Sequence, residues 1–165
     1  MGKLEGPLTV DGLLIPKTLS IPAGAVDDQA VAANADITST KIEHQHRPIY
    51  AQESATTAIA ETRTIHVVRG TSGKVDDFRA GSIVAATGNA TMTVDLKKNG
   101  TTVLSAAIVL DSTNTARVPE AAVIDPNAQD LVVDDVLEIA ITVAAGTGAL
   151  GQGLFAVPTI REKAS

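Results

Sequence analysis

His44 and His46 stand two residues apart. That spacing puts both imidazoles on one face of an extended strand. So placed, they could hold a metal ion, or form a ring of six around a threefold axis. A functional zinc site takes three or four protein ligands, and no third ligand lies near them in the sequence. The pair therefore reads as polar surface or a hydrogen-bonding linker, and no metal or cofactor is expected. His66 falls in a predicted strand and reads as a partly buried hydrogen-bonder.

The acidic pairs Asp76-Asp77 and Asp134-Asp135 suggest glycosidase chemistry or calcium binding. Neighbouring residues of a strand point to opposite faces, so neither pair makes a two-carboxylate site by itself. They read as turn and strand-edge acids that keep the surface soluble. Ser, His and Asp are all present, but no G-x-S-x-G elbow is. The run Gly146–Gly153, GTGALGQG, has no Lys and no predicted helix after it, so it does not read as a phosphate loop. Lys97-Lys98 reads as two charges on a solvated turn. No enzymatic activity is expected.

Composition narrows the choice further. Thirteen Lys and Arg against nineteen Asp and Glu leave a formal charge of −6. No basic footprint for nucleic acid appears, and an anionic membrane is disfavoured for the same reason. No run approaches 18 apolar residues, as a membrane-spanning helix would require. The start MGKLEGPLTVDG lacks the pattern of a signal peptide and the Ser or Thr of a myristoylation site. There is no Cys, so disulfides and thiolate chemistry are excluded, in keeping with synthesis in a reducing cytosol. With no Trp, one Tyr and two Phe, the core must be aliphatic. It is thin for a chain of this length, because aromatic residues bury the most area, about 150–250 Å² each. Apolar surface that is buried only on assembly is the corresponding expectation.

The element that organises the rest is the stretch Ala90–Leu110, ATMTVDLKKNGTTVLSAAIVL. Asn-Gly between alternating apolar residues is a strong hairpin signal. A two-residue Asn99-Gly100 loop would set Val94 against Ser105 and Leu96 against Val103, with Leu104 and Ile108 on the other face. A three-residue Lys98-Asn99-Gly100 loop sets Val94 against Leu104, Met92 against Ala106 and Ala90 against Ile108. Only the longer loop gathers Met92, Val94, Leu96, Leu104, Ala106 and Ile108 on one face, opposite Thr91, Thr93, Asp95, Lys97 and Ser105. A one-residue slip turns every side chain over, so the buried face selects the longer loop with Gly100 as a left-handed bulge.

From Thr62 onward the other signals are also β. Strands are predicted over 62–69, 74–80, 81–87, 116–124, 136–143 and 154–160. The turns between them are rich in Gly, Asp and Asn. In the first of these, Ile65 and Val67 share one face and Thr64, His66 and Val68 the other. In 136–143, Leu137, Ile139, Ile141 and Val143 alternate with Glu138, Ala140 and Thr142. Pro158 argues for an edge strand or a strand end. The fold class is all-β: a β-sandwich or jelly-roll-like domain over residues 51–165. An arm over residues 1–50 precedes it. Pro and Gly at 2, 6, 7, 12, 16, 22 and 24 forbid a long helix there. The apolar beads Leu13, Leu14, Ile15, Leu19 and Ile21 need another surface to lie on. One short helix, capped by Asp27 and ended by Asn34, and a second turn through Ile42 are expected to need packing partners as well.

The run Ala25–His46, AVDDQAVAANADITSTKIEHQH, resembles a linker of tailed-bacteriophage virion fibres and head-decoration proteins. The matching positions are Asp28, Ala30, Val31, Ala32, Asn34, Ala35, Ile37, Lys41 and Ile42. The segment Leu131–Val143, LVVDDVLEIAITV, resembles the penultimate-strand motif of jelly-roll fibre domains, with Asp134 and Asp135 as the turn acids. The resemblance implies a homotrimeric virion structural protein made in the host cytoplasm. A capsid decoration protein of cement or head-fibre type, on the outer capsid surface, is the expectation. Leu13, Leu14, Ile15, Leu19, Ile21, Val31, Ile37 and Ile42 would then bind the major capsid protein. The alternative is a tail-fibre or receptor-binding module, which the scarcity of aromatic faces for a saccharide disfavours.

Overall fold

The computed structural model describes residues 43–163. The predicted short helices and the eight apolar residues assigned to capsid binding, Leu13 to Ile42, lie outside the described residues. What is described is all-β, with two antiparallel sheets.

The tip of the Ala90–Leu110 hairpin dictates the layout. β5 (Thr91–Lys98) turns into β6 (Thr101–Thr102) through Asn99 and Gly100 alone, with Lys98 opposite Thr101. Asn99 has φ 50° and Gly100 φ 83°, the doubly left-handed turn whose twist matches paired strands. The expected three-residue loop is therefore corrected to two. The buried face is recovered further along the return strand. From Lys97↔Thr102 to Val94↔Ile108, three steps on β5 are matched by six on the return, which resumes as β7 (Ile108–Leu110). The three extra residues let Val103 and Leu104 both turn inward. Leu104 leaves the ladder to bridge Ile124, while Ser105 and Ala106 face solvent. Ala106 thus drops out of the predicted buried set. Met92, Val94, Leu96, Leu104 and Ile108 keep their places in it.

Away from that tip the chain runs as a two-stranded ribbon. β4 (Ser72–Val84) pairs with β8 (Glu120–Ala121) and β9 (Asp130–Val132). β3 (Glu61–Val67) pairs with β10 (Val136–Ala144). β1 (Glu43–His46) and β2 (Tyr50–Ala51) pair with β11 (Gln152–Lys163). The ribbon is rolled so that β11 also pairs with β4, and β10 with β5. One sheet therefore runs β1/β2, β11, β4, β8/β9, and the other β3, β10, β5, β6/β7. This is the jelly-roll order of a β-sandwich. The inward residues of both sheets form one aliphatic core. Phe78, Met92, Leu96, Leu137, Ile139, Leu154 and Ile160 are fully buried in it. Residues 43–50, grouped with the arm on sequence, supply β1 and the first residue of β2.

Several local expectations change for identifiable reasons. The predicted pieces 74–80 and 81–87 are one strand of 13 residues. Gly81 keeps it continuous by leaving room for the Phe155 ring, which a Cβ there would meet at 2.7 Å. Val67 faces out and Val68 in, because Ile65 is bulged out between Leu137↔His66 and Glu138↔Thr64. The predicted strand 116–124 is reduced to β8 and the bridge at Ile124, after Arg117 turns the chain at φ 65°. β10 keeps its predicted phase, with Leu137, Ile139 and Ile141 buried. Pro158, expected at an edge, lies mid-strand in central β11, opposite Phe78. The β1 and β2 registers place it across from Pro48, where that ladder is interrupted at residues 47–49. A residue without an N–H costs no ladder hydrogen bond at such a gap.

Candidate functional site: a histidine corner

β11 alternates inward Leu154, Ala156, Pro158 and Ile160 with outward residues, and the same phase carries Glu162 inward. It is 4% exposed. Cross-strand partners share a face, so β1 presents His44 beside Glu162 and His46 beside Ile160. From the opposite sheet β3 presents His66, which pairs with buried Leu137. All three histidines of the chain thus meet at the sandwich edge where β1 joins. The His46 and His66 rings lie 5.1 Å apart between centroids, and His44 and His46 lie 6.4 Å apart, stacked.

The His66 Nε2–H donates to Glu162 Oε1; an ionised carboxylate can only accept, which fixes that tautomer. Glu162 Oε2 accepts the amide N–H groups of Gly70 at 2.9 Å and Arg69 at 3.2 Å. Burial works against the Glu162 charge. The bonds from His66 and the two amides outweigh it and hold the carboxyl below its usual range. Gly70 lets the backbone come this close, since a Cβ there would fall 2.2 Å from the Lys163 carbonyl oxygen. Among the described residues, no group of three or more His, Cys, Asp or Glu is placed to hold a metal ion.

The acidic pairs separate as adjacent strand and turn residues must. Asp76 binds Arg161, with Nη2 to Oδ1 at 2.8 Å, and Asp77 binds Arg79 at 2.8 Å. Asp134, at φ 69°, holds Arg69 at 3.0 Å across the exposed turn. Asp135 is buried instead. It accepts from Asn99 Nδ2 at 2.7 Å and from the Val132 amide at 2.8 Å, and so ties the hairpin tip to the β9–β10 turn. Lys98 does not float in solvent as expected: its Nζ donates to the carbonyls of Ala128 and Asp130. In the Gly-rich run, the Gly148 Cα region packs against the backbone of Thr87 and Gly88, and Asn89 Oδ1 accepts the Thr147 amide at 2.6 Å. These residues build loops.

Two open grooves lie on the surface of the described residues. One, of about 410 Å³, lies between the edges β7 and β8 and is lined mainly by Ala106, Ala107, Ile108, Ala121, Ala122 and Val123. Val123 is 70% exposed on its rim. The other, of about 420 Å³, is charged, with Lys74, Arg161 and Lys163 set against Glu43 and Asp130. Glu162 is the residue that sequence reasoning passed over, and the inward phase of β11 was the available signal for it. No family model and no curated protein matches the chain.

Proposed function

We propose that the chain is a non-enzymatic structural protein of a tailed-bacteriophage virion, a capsid decoration protein of cement or head-fibre type. The sandwich is the outward body, and residues 1–42 supply the contacts to the major capsid protein. The carrying observation is the continuity of two features. The last four residues of the phage-like run 25–46 are β1 of a jelly roll, an architecture used by viral capsid domains. The single Tyr is spent in the core and its network with Glu61 and Gln52, which leaves no tyrosine face for a glycan. The exposed aliphatic rim of the β7–β8 groove suits the self-association expected of a homotrimer.

Binding to decoration-free capsids tests the reading. The full chain should co-sediment with capsids and scatter light as a trimer. A variant without residues 1–42 should remain folded and lose capsid binding. A full-length monomer would overturn the trimer, and undiminished capsid binding by the shortened chain would overturn the role of residues 1–42.

A further inference from the structure

Imidazole is the side chain whose charge ordinarily changes between about pH 5 and pH 8. All three in this chain sit at one joint: His44 and His46 on β1, and His66 on β3. The joint holds one bonded carboxylate, Glu162 of β11, and its two oxygens are engaged by His66 and the amides of Arg69 and Gly70. Other charges on the packed elements are turned elsewhere. Glu43 and Asp76 bind Arg161, Arg69 binds Asp134, and Glu61 binds Tyr50 and Arg63. Arg47 and Lys163 are exposed, and Glu138 lies on the outward phase of β10.

We propose that this corner is a pH-sensitive latch: neutral imidazoles let β1 close the sandwich edge, and protonation of His44 and His46 releases β1 while the remaining sandwich stays folded. A proton on His66 is matched by Glu162 and tightens that pair. A proton on half-buried His46 finds no second carboxylate in the corner, whereas one on exposed His44 is solvated and adds only its repulsion of His46. The ring spacings of 5.1 and 6.4 Å lie within the screening length of about 8 Å at physiological salt, so the charges repel. β1 is the element least able to resist. It has four residues and a single strand neighbour, and short edge elements open at low free-energy cost. Release stops at Tyr50, which is buried and bonded to Glu61 and Gln52. The latch acts on the strand through which the chain enters the sandwich, and it does not depend on the virion reading.

Amide hydrogen exchange on the isotope-labelled full chain, corrected for intrinsic rates, tests this. Between about pH 7.5 and about pH 5, protection across 43–46 should fall at least tenfold, while β4 and β10 keep theirs. In the double variant His44→Gln, His46→Gln, protection across 43–46 should not change with pH. In the unmodified chain, the midpoint of β1 release should coincide with titration of the His46 ring resonance, which gives a readout even if the double variant folds poorly. Unchanged protection at 43–46, a pH-dependent loss in the double variant equal to that of the unmodified chain, or a uniform loss across β4 and β10 would each overturn the latch.

Discussion

Tyr50 offers an unusually clean perturbation, because it is the only tyrosine in the chain. Its ring is 4% exposed. Its hydroxyl donates to Glu61 Oε1 and accepts from Gln52 Nε2 at 2.9 Å. Burial, then the bond to the Glu61 carboxylate, pushes the phenol up from 10.0 to about 12. At 1.36 kcal/mol per pH unit, that preference for the neutral form is worth about 3 kcal/mol. The sign follows from proton uptake. Between pH 10 and about 12 the unfolded chain has lost the phenolic proton and the folded chain has kept it, so stability falls as pH rises through this window. Below the ordinary tyrosine value the contribution is fully present. Near-ultraviolet absorbance of phenolate should therefore show one transition centred near pH 12 while the sheet signal in circular dichroism persists. Tyr50→Phe should cost about 1.5–3 kcal/mol at neutral pH, the range for a hydrogen bond to a charged group, and should lose the alkaline dependence. A transition near pH 10 in a protein that is still folded would refute the reasoning.

Three further outcomes follow from the same geometry. Asn99→Ala removes two side-chain bonds, to Asp135 and to the Val136 amide, and places a Cβ-bearing residue without them at φ 50°. A loss of about 3–5 kcal/mol in urea unfolding is expected. Asn99→Gly, free of the strain, should lose about 1–2 kcal/mol less; equal losses would mean that backbone conformation is irrelevant at the tip. Gly148→Ala would set a Cβ 1.7 Å from the Thr87 carbonyl oxygen. The two loops must then part, and melting should drop by several degrees, as overpacking costs typically about 1–3 kcal/mol; an unchanged melting temperature would contradict the close approach. Glu162 has its carboxyl held below the usual range, so its contribution is present above that range and is lost as pH falls through the lowered folded value. Glu162→Gln should flatten that acid limb of the urea midpoint, and a parallel limb in both proteins would contradict the assignment.

Local signals carried the fold a long way. The alternation of Leu137, Ile139 and Ile141 placed β10 and its buried face, and Asn99-Gly100 marked the turn about which the ribbon folds. The hairpin register was not legible, because Leu104 is drawn off its ladder by Ile124, a contact set by the other sheet. Pro158 misled for a similar reason. Its missing N–H is tolerated because Pro48, more than a hundred residues earlier, interrupts the neighbouring strand opposite it. The phase of β3 failed at a single bulged residue, Ile65. The histidine corner was only half visible. His44 and His46 declared themselves by spacing, but His66 and Glu162 join them only through the rolled topology.

Cryo-electron microscopy of virions assembled with this chain tests the proposed decoration role most directly. The account predicts jelly-roll density standing on the outer capsid surface in threefold clusters, joined to the shell by residues preceding Glu43. Density confined to the tail or its fibres would contradict it.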